Sequence, residues 1–269
     1  MIRTAFLTVA LTFVCGLAGC ATTPATATRY PADKYGKTFY LDGAGNWGFG
    51  AASVPVGLQE AGYRGHVETF LWTTSFSPLV DQLNIVGAKL RSAALSDRIE
   101  QYHRDYPGND LNMIALSAGT GVAIWAVEGL ENGTKINNLV LLGSSLSHDY
   151  DARKALANMT GNIYVYHSEH DVVLGGVTMV GTIDGKRGVA SAGLVGLDKP
   201  PGARDRVQNI RWSERYIDVG WTGAHTDCTS KPFIRKVIAK HVRTRRRVGR
   251  TAAAARYSIA PMLTSHPSR

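Results

Sequence analysis

A serine in a strand-to-helix turn is the residue of this 269-residue chain whose surroundings point most directly to chemistry. The apolar run Leu111–Leu116 leads straight into segment 117–121 (Ser-Ala-Gly-Thr-Gly), and an apolar helical pattern follows. In so tight a turn, side chains two positions before and after Ser117 would collide, and Ala115 and Gly119 are small enough to avoid this. The sequence therefore predicts a strained serine at the start of a helix, whose N–H groups and dipole favour a developing anion.

This order of strand, small-x-Ser-x-Gly and helix resembles the nucleophile elbow of the α/β-hydrolase superfamily, and the resemblance extends over roughly residues 36–241. It departs from the commoner pattern in having Ala115 where glycine is usual. The resemblance implies an α/β fold, the α/β-hydrolase fold, with a mostly parallel central sheet and helices on both faces. It also implies a serine hydrolase that cleaves carboxylic esters, lipid or thioester substrates included, through an acyl-enzyme and without metal or cofactor.

A serine hydroxyl is a weak nucleophile and needs a base that a carboxylate orients; the superfamily's chain order is serine, acid, histidine. His225 lies between the last predicted strand and the final predicted helix, where the superfamily places its histidine. Asp171 ends the loop after the predicted strand Ile163–Tyr166, which resembles the superfamily's acid loop. Other carboxylates remain as alternatives for the acid: Asp149 or Asp151, one strand earlier, and more weakly Glu169 and Asp227.

Two backbone N–H groups are expected to form an oxyanion hole. One belongs to Ala118, directly after the serine, and the other to the loop after the first strand. In that loop, residues 42–45 (Asp-Gly-Ala-Gly) stand where many lipases have His-Gly-x, which assigns the second N–H to Ala44. Asp42 replaces the histidine, so the hydrogen bonding of the loop stays open, and a plain glycine-rich turn is the alternative.

Apolar β-like runs alternate with helical patterns between Tyr35 and His241, which predicts a mostly parallel sheet covered on both faces. The predicted strands are Thr38–Leu41, Val67–Trp72, Leu111–Leu116, Leu139–Leu142, Ile163–Tyr166 and either Asn209–Trp212 or Tyr216–Val219. The predicted helices are 80–105, with an apolar face of Leu83, Val86, Leu90, Ala94, Ile99 and Tyr102, then Gly119–Leu130 and Pro232–His241.

The interval between Asp171 and His225 is longer than one strand and one helix require. Gly175–Ala203 is therefore predicted to be an insertion over the site, as a lid, a substrate wall or a plain surface loop. Aromatic residues near the expected catalytic edge are candidates for an acyl pocket or for ordinary core: Trp47, Phe49, Trp72, Phe76 and Trp221.

The N-terminus indicates secretion and a lipid anchor. Arg3, the apolar run Ala5–Val14 and the small residues that follow are typical of a signal peptide, here residues 1–19, and the run is too short to span a membrane. Segment 17–20 (Leu-Ala-Gly-Cys) resembles a bacterial lipobox, which implies acylation of Cys20 and anchoring in the cell envelope. The residue after Cys20 is alanine, which would favour the outer membrane in a Gram-negative cell. A plain signal peptide cut nearby is the alternative.

The remaining domain prediction is a flexible tether over residues 20–34, an α/β-hydrolase domain over 35–242 and a basic, disordered tail over 243–269. Residues 241–269 hold seven arginines and no acid, so the net charge of +9 falls to +1 without them and Arg3. A near-neutral body argues against nucleic-acid binding. The tail is either solvated or adheres to anionic lipid or cell wall.

Cys228 is the one cysteine left for the body, so neither a disulfide nor a cysteine-rich zinc site is expected.

Two other functions stay open. A non-catalytic envelope lipoprotein could use the fold as a binding module, since a fold does not guarantee activity. The same three residues could also cleave amides or peptides, or transfer acyl groups. Because serine, acid and histidine positions are all filled, the sequence favours an ester hydrolase over the binding module.

Overall fold

Six strands form one sheet in the computed structural model, which describes residues 29–242. The predicted signal peptide, the lipobox, most of the tether and the basic tail lie outside the described residues. All neighbouring strands are parallel, in the order β2-β1-β3-β4-β5-β6. The strands are β1 Lys37–Leu41, β2 His66–Thr69, β3 Leu111–Leu116, β4 Leu139–Leu142, β5 Ile163–His167 and β6 Val207–Arg211.

Helices cover both faces of this sheet. They are α1 Ser53–Glu60, α2 Pro78–Leu83, α3 Ile85–Asp105, α4 Gly119–Glu128, α5 Arg153–Ala157, α6 Val172–Val180 and α7 Ala192–Val195. A C-terminal helix follows as α8 Lys231–Phe233, a π-helical segment Ile234–Ile238 and α9 Ala239–Val242. Short 3-10 helices are Pro31–Tyr35, Arg204–Arg206, Glu214–Val219 and Asp227–Thr229.

The strand side chains alternate between two apolar cores, because successive residues of a strand point to opposite faces. Met113 and Ala115 of β3 belong to the core under α3, α4 and α5, whereas Ile114 and Leu116 belong to the core under α1 and the C-terminal helix. Every residue of β3 and β4 is buried, which explains their near-continuous apolar sequences. The predicted α/β fold class, a parallel sheet with helices on both faces, is confirmed.

Several predicted boundaries change. β2 ends at Thr69 rather than at Trp72, and the last strand is Val207–Arg211, while Tyr216–Val219 lies in a 3-10 helix. The single helix predicted over 80–105 is broken at Asn84, whose backbone is not helical (φ −83°, ψ 63°). The Asn84 side chain instead accepts a hydrogen bond from the Gly87 N–H at 3.0 Å and so begins α3 as its cap.

The predicted apolar face of that helix is wrong in its first half: Leu83, Val86, Leu90 and Ala94 are exposed. The buried side chains of α3 are Ala88, Ser92, Leu95, Ser96, Ile99 and Tyr102. Small residues face α4 because the two helices approach closely. The Ser96 hydroxyl donates to the Ala126 carbonyl at 2.8 Å, and a Cβ on Gly129 would lie 2.9 Å from that hydroxyl.

The folded body includes part of the segment that was predicted as tether. Pro31–Tyr35 packs against the start of the sheet, and Asp33 within it is buried. The Asp33 carboxylate binds the His66 ring at 2.9 Å and the Lys37 ammonium at 3.1 Å. Among the helices of residues 29–242, none is long and apolar enough to cross a membrane.

Candidate active site

The carboxyl ends of the parallel strands meet at one edge of the sheet, and the predicted site residues lie there. Ser117 follows β3, Ala44 follows β1, and Asp171 follows β5. His225 lies in the segment between β6 and the C-terminal helix. This edge is where open α/β sheets form their ligand crevices.

The serine has the strained backbone that its sequence predicts. Ser117 has φ +51°, in the left-handed region that residues with a Cβ rarely adopt. Its N–H donates to the Leu142 carbonyl at 3.0 Å, and its own carbonyl accepts from the Thr120 N–H at 3.0 Å. A Cβ on Gly119 would lie only 2.4 Å from the Asp42 carbonyl oxygen, so the position two residues after the serine admits glycine alone.

Gly121 is confined by a residue that is distant in sequence. A Cβ there would meet the side chain of Ile183, with Cγ2 at 2.7 Å. The insertion after Asp171, rather than the sheet, packs on this glycine.

Asp171 and His225 form a buried pair. Asp171 Oδ2 lies 2.6 Å from His225 Nδ1, and the two side chains are 3% and 11% exposed. The other carboxylate oxygen, Oδ1, accepts the Leu174 N–H at 3.0 Å and caps α6. Because Nδ1 faces the carboxylate, it is the donor, and Nε2 is left as the basic nitrogen.

The alternative acids have other partners. Asp149 binds Lys186 at 2.8 Å, Asp151 binds Arg153 at 2.6 Å, and Glu169 binds Arg211 at 2.5 Å. Asp227 accepts the Thr222 hydroxyl. Within residues 29–242, Asp171 is the only carboxylate paired with His225.

Ser117 and His225 line the same cavity. No hydrogen bond joins their side chains in the described part of the chain. The two residues therefore lie on the wall of one cavity without a direct serine–histidine contact. In ligand-free hydrolases such bonds are often long and tighten only around the substrate.

Of the two predicted oxyanion donors, Ala44 lines the cavity, and Ala118 is buried directly after Ser117. Neither the Ala118 nor the Ala44 N–H donates a hydrogen bond within residues 29–242. Ala118 caps α4, so its N–H stands at the positive end of the helix dipole. The loop that carries Ala44 approaches the serine closely, since a Cβ on Gly43 would lie 3.2 Å from Ser117 Cβ.

Asp81, which was not predicted from the sequence, holds this loop. Its carboxylate is 2% exposed and accepts three hydrogen bonds: from the Gly45 N–H at 2.7 Å and from the Thr73 and Ser75 hydroxyls at 2.6 Å each. Asp81 is the only charged residue between positions 70 and 88. A single acid in an otherwise uncharged stretch was the signal that could have identified it.

Asp42, which stands where the resemblance predicts a histidine, is not among the residues that line the cavity. Its Oδ1 accepts the Tyr40 hydroxyl at 2.8 Å inside the core, and burial raises the pKa of that phenol. The Asp42 carbonyl accepts the Trp72 indole N–H at 2.8 Å. Hydrogen bonds therefore fix the loop at two points, Asp42 through the Trp72 indole and Gly45 through the Asp81 carboxylate, and no histidine is involved in either.

Cys228 lies behind the histidine loop. Its thiol donates to the His225 carbonyl at 3.1 Å, and burial, followed by the nearby Asp171 charge, raises the thiol pKa. It is therefore a protonated structural donor rather than a nucleophile. Within residues 29–242, no group of three or more histidine, cysteine, aspartate or glutamate side chains is placed to hold a metal ion.

The cavity has a volume of about 350 Å³ and mostly apolar walls. Trp47 and Phe49 line it, whereas Trp72 and Trp221 belong to the core and Phe76 is exposed. The insertion contributes Gly176, Val177 and Val180 through α6. Of the predicted insertion 175–203, the part that lines the cavity is therefore the end of α6, and the choice between lid, substrate wall and surface loop stays a prediction.

The described residues therefore form an α/β fold, an all-parallel sheet with helices on both faces and a strained serine turn after the third strand. No protein-family model matches the chain, and no curated protein matches it. Solved structures with similar folds include a cutinase-like protein from Cryptococcus sp., with 14% identity, 80% of this chain and 98% of that chain covered, and a TM-score of 0.40. They also include carboxyl esterase 2 from Tuber melanosporum (14% identity, 77% and 78% covered, TM-score 0.40). A third is the catalytic core domain of acetyl xylan esterase from Trichoderma reesei (14%, 74% and 97%, 0.39).

Proposed function

We propose that this protein hydrolyses carboxylic esters, with Ser117 as nucleophile, His225 as general base and Asp171 as the acid that orients the histidine. One observation carries the proposal. Ser117, which has a positive φ, lines one cavity together with Ala44 and His225, and buried Asp171 lies behind the histidine with its carboxylate 2.6 Å from the ring.

The chemistry follows from the proton donors and acceptors. Ser117 Oγ attacks the ester carbonyl carbon while His225 Nε2 takes its proton, and the tetrahedral oxyanion binds the Ala118 and Ala44 N–H groups. The C–O bond to the alcohol breaks, and the imidazolium gives its proton to the leaving oxygen. Water then attacks the acyl carbonyl carbon while His225 Nε2 takes its proton, the C–O bond to Ser117 breaks, and the imidazolium returns the proton to Oγ as the carboxylic acid leaves. Asp171 keeps the proton on Nδ1 and stabilises the imidazolium.

The walls of the cavity fit an acyl chain better than a polar acid. Trp47, Phe49 and Val177 enclose the space in front of Ser117, and Gln82 is the one amide side chain on the wall. The Gln82 amide donates to the Gly181 carbonyl at 3.0 Å, so it joins α2 to the end of α6. The substrate class is therefore an ester with an apolar acyl group.

A fluorophosphonate probe tests the nucleophile. It should label the purified chain at Ser117, and Ser117→Ala should lose both labelling and turnover of p-nitrophenyl esters, by at least about 10³-fold. Ser145→Ala is the matched control, because the Ser145 hydroxyl is buried without a hydrogen-bond partner within residues 29–242. Esters from acetate to palmitate beside an amide panel separate esterase from amidase. No labelling of a folded protein would favour the binding module instead.

We also propose that Cys20 is acylated and anchors the protein in a bacterial cell envelope. The substrate of the anchored enzyme would be a small-molecule ester or a lipid. The support is the Leu-Ala-Gly-Cys segment and the apolar run before it. Metabolic labelling with an alkynyl fatty acid should mark the chain, and Cys20→Ser should abolish the mark. Ser117→Ala should be labelled as the wild type is, so anchoring and catalysis are tested apart.

A further inference from the structure

Exposed apolar side chains are concentrated on three segments of the chain that each contribute residues to the cavity wall. Eighteen large hydrophobic side chains are exposed within residues 29–242, and twelve of them lie on segments 47–49, 76–90 and 172–180. We call these twelve side chains the rim. Single exposed hydrophobics are ordinary on a soluble protein, but a contiguous patch marks a surface that another apolar partner covers.

The same part of the chain has almost no charge. Residues 43–58, 70–88 and 172–183 contain one charged residue, Asp81. Its side chain is 2% exposed and forms its hydrogen bonds inside the protein. Helix α6 is the clearest case, because Leu174 is its only buried residue while Val172 and Met179 are 86% and 83% exposed. A surface helix that is apolar on all sides does not have the polar face expected against water.

The three segments form one surface. The Trp47 indole N–H donates to the Phe76 carbonyl at 3.2 Å and joins the first segment to the second. The Gln82 amide donates to the Gly181 carbonyl and joins the second to the third. The rim therefore adjoins the cavity that Ser117 and His225 line, and five of its side chains form part of the wall: Trp47, Phe49, Leu79, Val173 and Val180.

We propose that the rim docks on an anionic lipid bilayer. This goes beyond ester hydrolysis and beyond the anchor at Cys20, since it is a second lipid contact made by the folded domain itself. Lys89, Arg91 and Arg187 are exposed next to the rim and form no salt bridge within residues 29–242. Cations flanking an apolar surface match anionic headgroups above acyl chains.

The charge distribution favours a bilayer over a second copy of this chain. In a two-fold dimer the same patch meets itself, so the cations of one copy would face those of the other. A second copy seated on the rim would also cover the opening to Ser117. A bilayer has complementary charge, and an ester in it could enter the cavity directly.

Vesicle binding tests the proposal independently of catalysis. The full chain is compared in a Cys20→Ser, Ser117→Ala background, which prevents both acylation and turnover, so failure of the proposed hydrolase would not affect the result. The rim variant is Val86→Asp with Met179→Asp, two exposed residues outside the cavity wall. Its matched control is Tyr35→Asp with Val195→Asp, which adds the same charge at exposed apolar positions off the rim.

Co-sedimentation with phosphatidylglycerol vesicles should fall at least about 10-fold for the rim variant and stay near the background value for the control. The apolar run before Cys20 is present in all the variants, so its contribution to vesicle binding does not affect the comparison between them. Equal binding by the two variants would overturn the proposal. Equal binding to phosphatidylcholine would refute the role of the cations. A dimer seen by sedimentation velocity, and broken by the rim variant alone, would assign the rim to a second copy.

Discussion

Replacing Gly119 by alanine tests whether the tight turn really limits this site. The new Cβ would lie 2.4 Å from the Asp42 carbonyl oxygen and 3.2 Å from Leu41 Cβ. The closest atom is backbone, so no side-chain rotation relieves the contact, and α4 and the end of β1 must separate. Overpacking of this kind costs about 1–3 kcal/mol. For a chain of this size we expect a fall in Tm of roughly 2–12 °C.

The catalytic rate should also fall, by more than partial unfolding of the variant would explain. The displaced peptide leads directly into Gly43 and Ala44, and a shift on the order of 1 Å at a reacting centre costs roughly 10²-fold in rate. Gly175→Ala is the control, because nothing lies within 4 Å of a Cβ there and alanine in a helix gains about 0.4–1 kcal/mol. Urea unfolding and p-nitrophenyl ester turnover measure both. If Gly119→Ala were as stable and as active as the wild type, the argument from the turn would be refuted.

Three further changes address the acid, the loop and the buried histidine. Asp171→Asn should lower kcat by about 10⁴-fold with Tm nearly unchanged, since asparagine still caps α6; an unchanged kcat would remove Asp171 from the mechanism. Asp81→Asn should lower kcat by roughly 10-fold as the Gly45 N–H loses a charged acceptor, whereas a purely structural role would lower Tm alone. Burial lowers the pKa of His241 from 6.5 to about 4, so the unfolded chain binds the extra proton first. The free energy of unfolding should therefore decrease as the pH falls from 6.5 to about 4, and less so in His241→Asn, by urea titration.

The elbow was predictable because its constraints are local. A strand, a serine between small residues and a helix follow one another within about a dozen positions, and the resulting backbone at Ser117 has the positive φ that this pattern demands. The placement of Asp171 beside His225 came from chain order in a resembling family. The structure shows the contact, and the catalytic roles stay predictions.

The support of the loop that carries Ala44 was not predictable in the same way. Asp81 binds Gly45, 36 positions earlier, and nothing in the residues near either one indicates that they meet. Chain packing decides such a contact. The loop's unusual Asp42 drew attention in the sequence, yet its side chain points into the core toward Tyr40.

The error on α3 has a physical cause that bears on the rim. Apolar residues at helical spacing predict that one face of a helix avoids water, but not what covers it. In α3 the close approach of α4 selects small residues such as Ser92 and Ser96 for the buried side, which leaves Val86 and Leu90 outside. The apolar residues do recur at helical spacing, but the prediction that this face packs against the protein core was wrong.

The rim and the candidate site are connected through a single carboxylate. Asp171 Oδ2 lies against the His225 ring, while Oδ1 caps α6, the most exposed apolar helix of the rim. Leu174 is the only buried residue of α6, so few core contacts fix the helix apart from this cap. The position of α6 and the position of the acid are therefore not independent. A contact that moves the start of this helix acts on the carboxylate paired with His225, so the candidate site is connected to the rim.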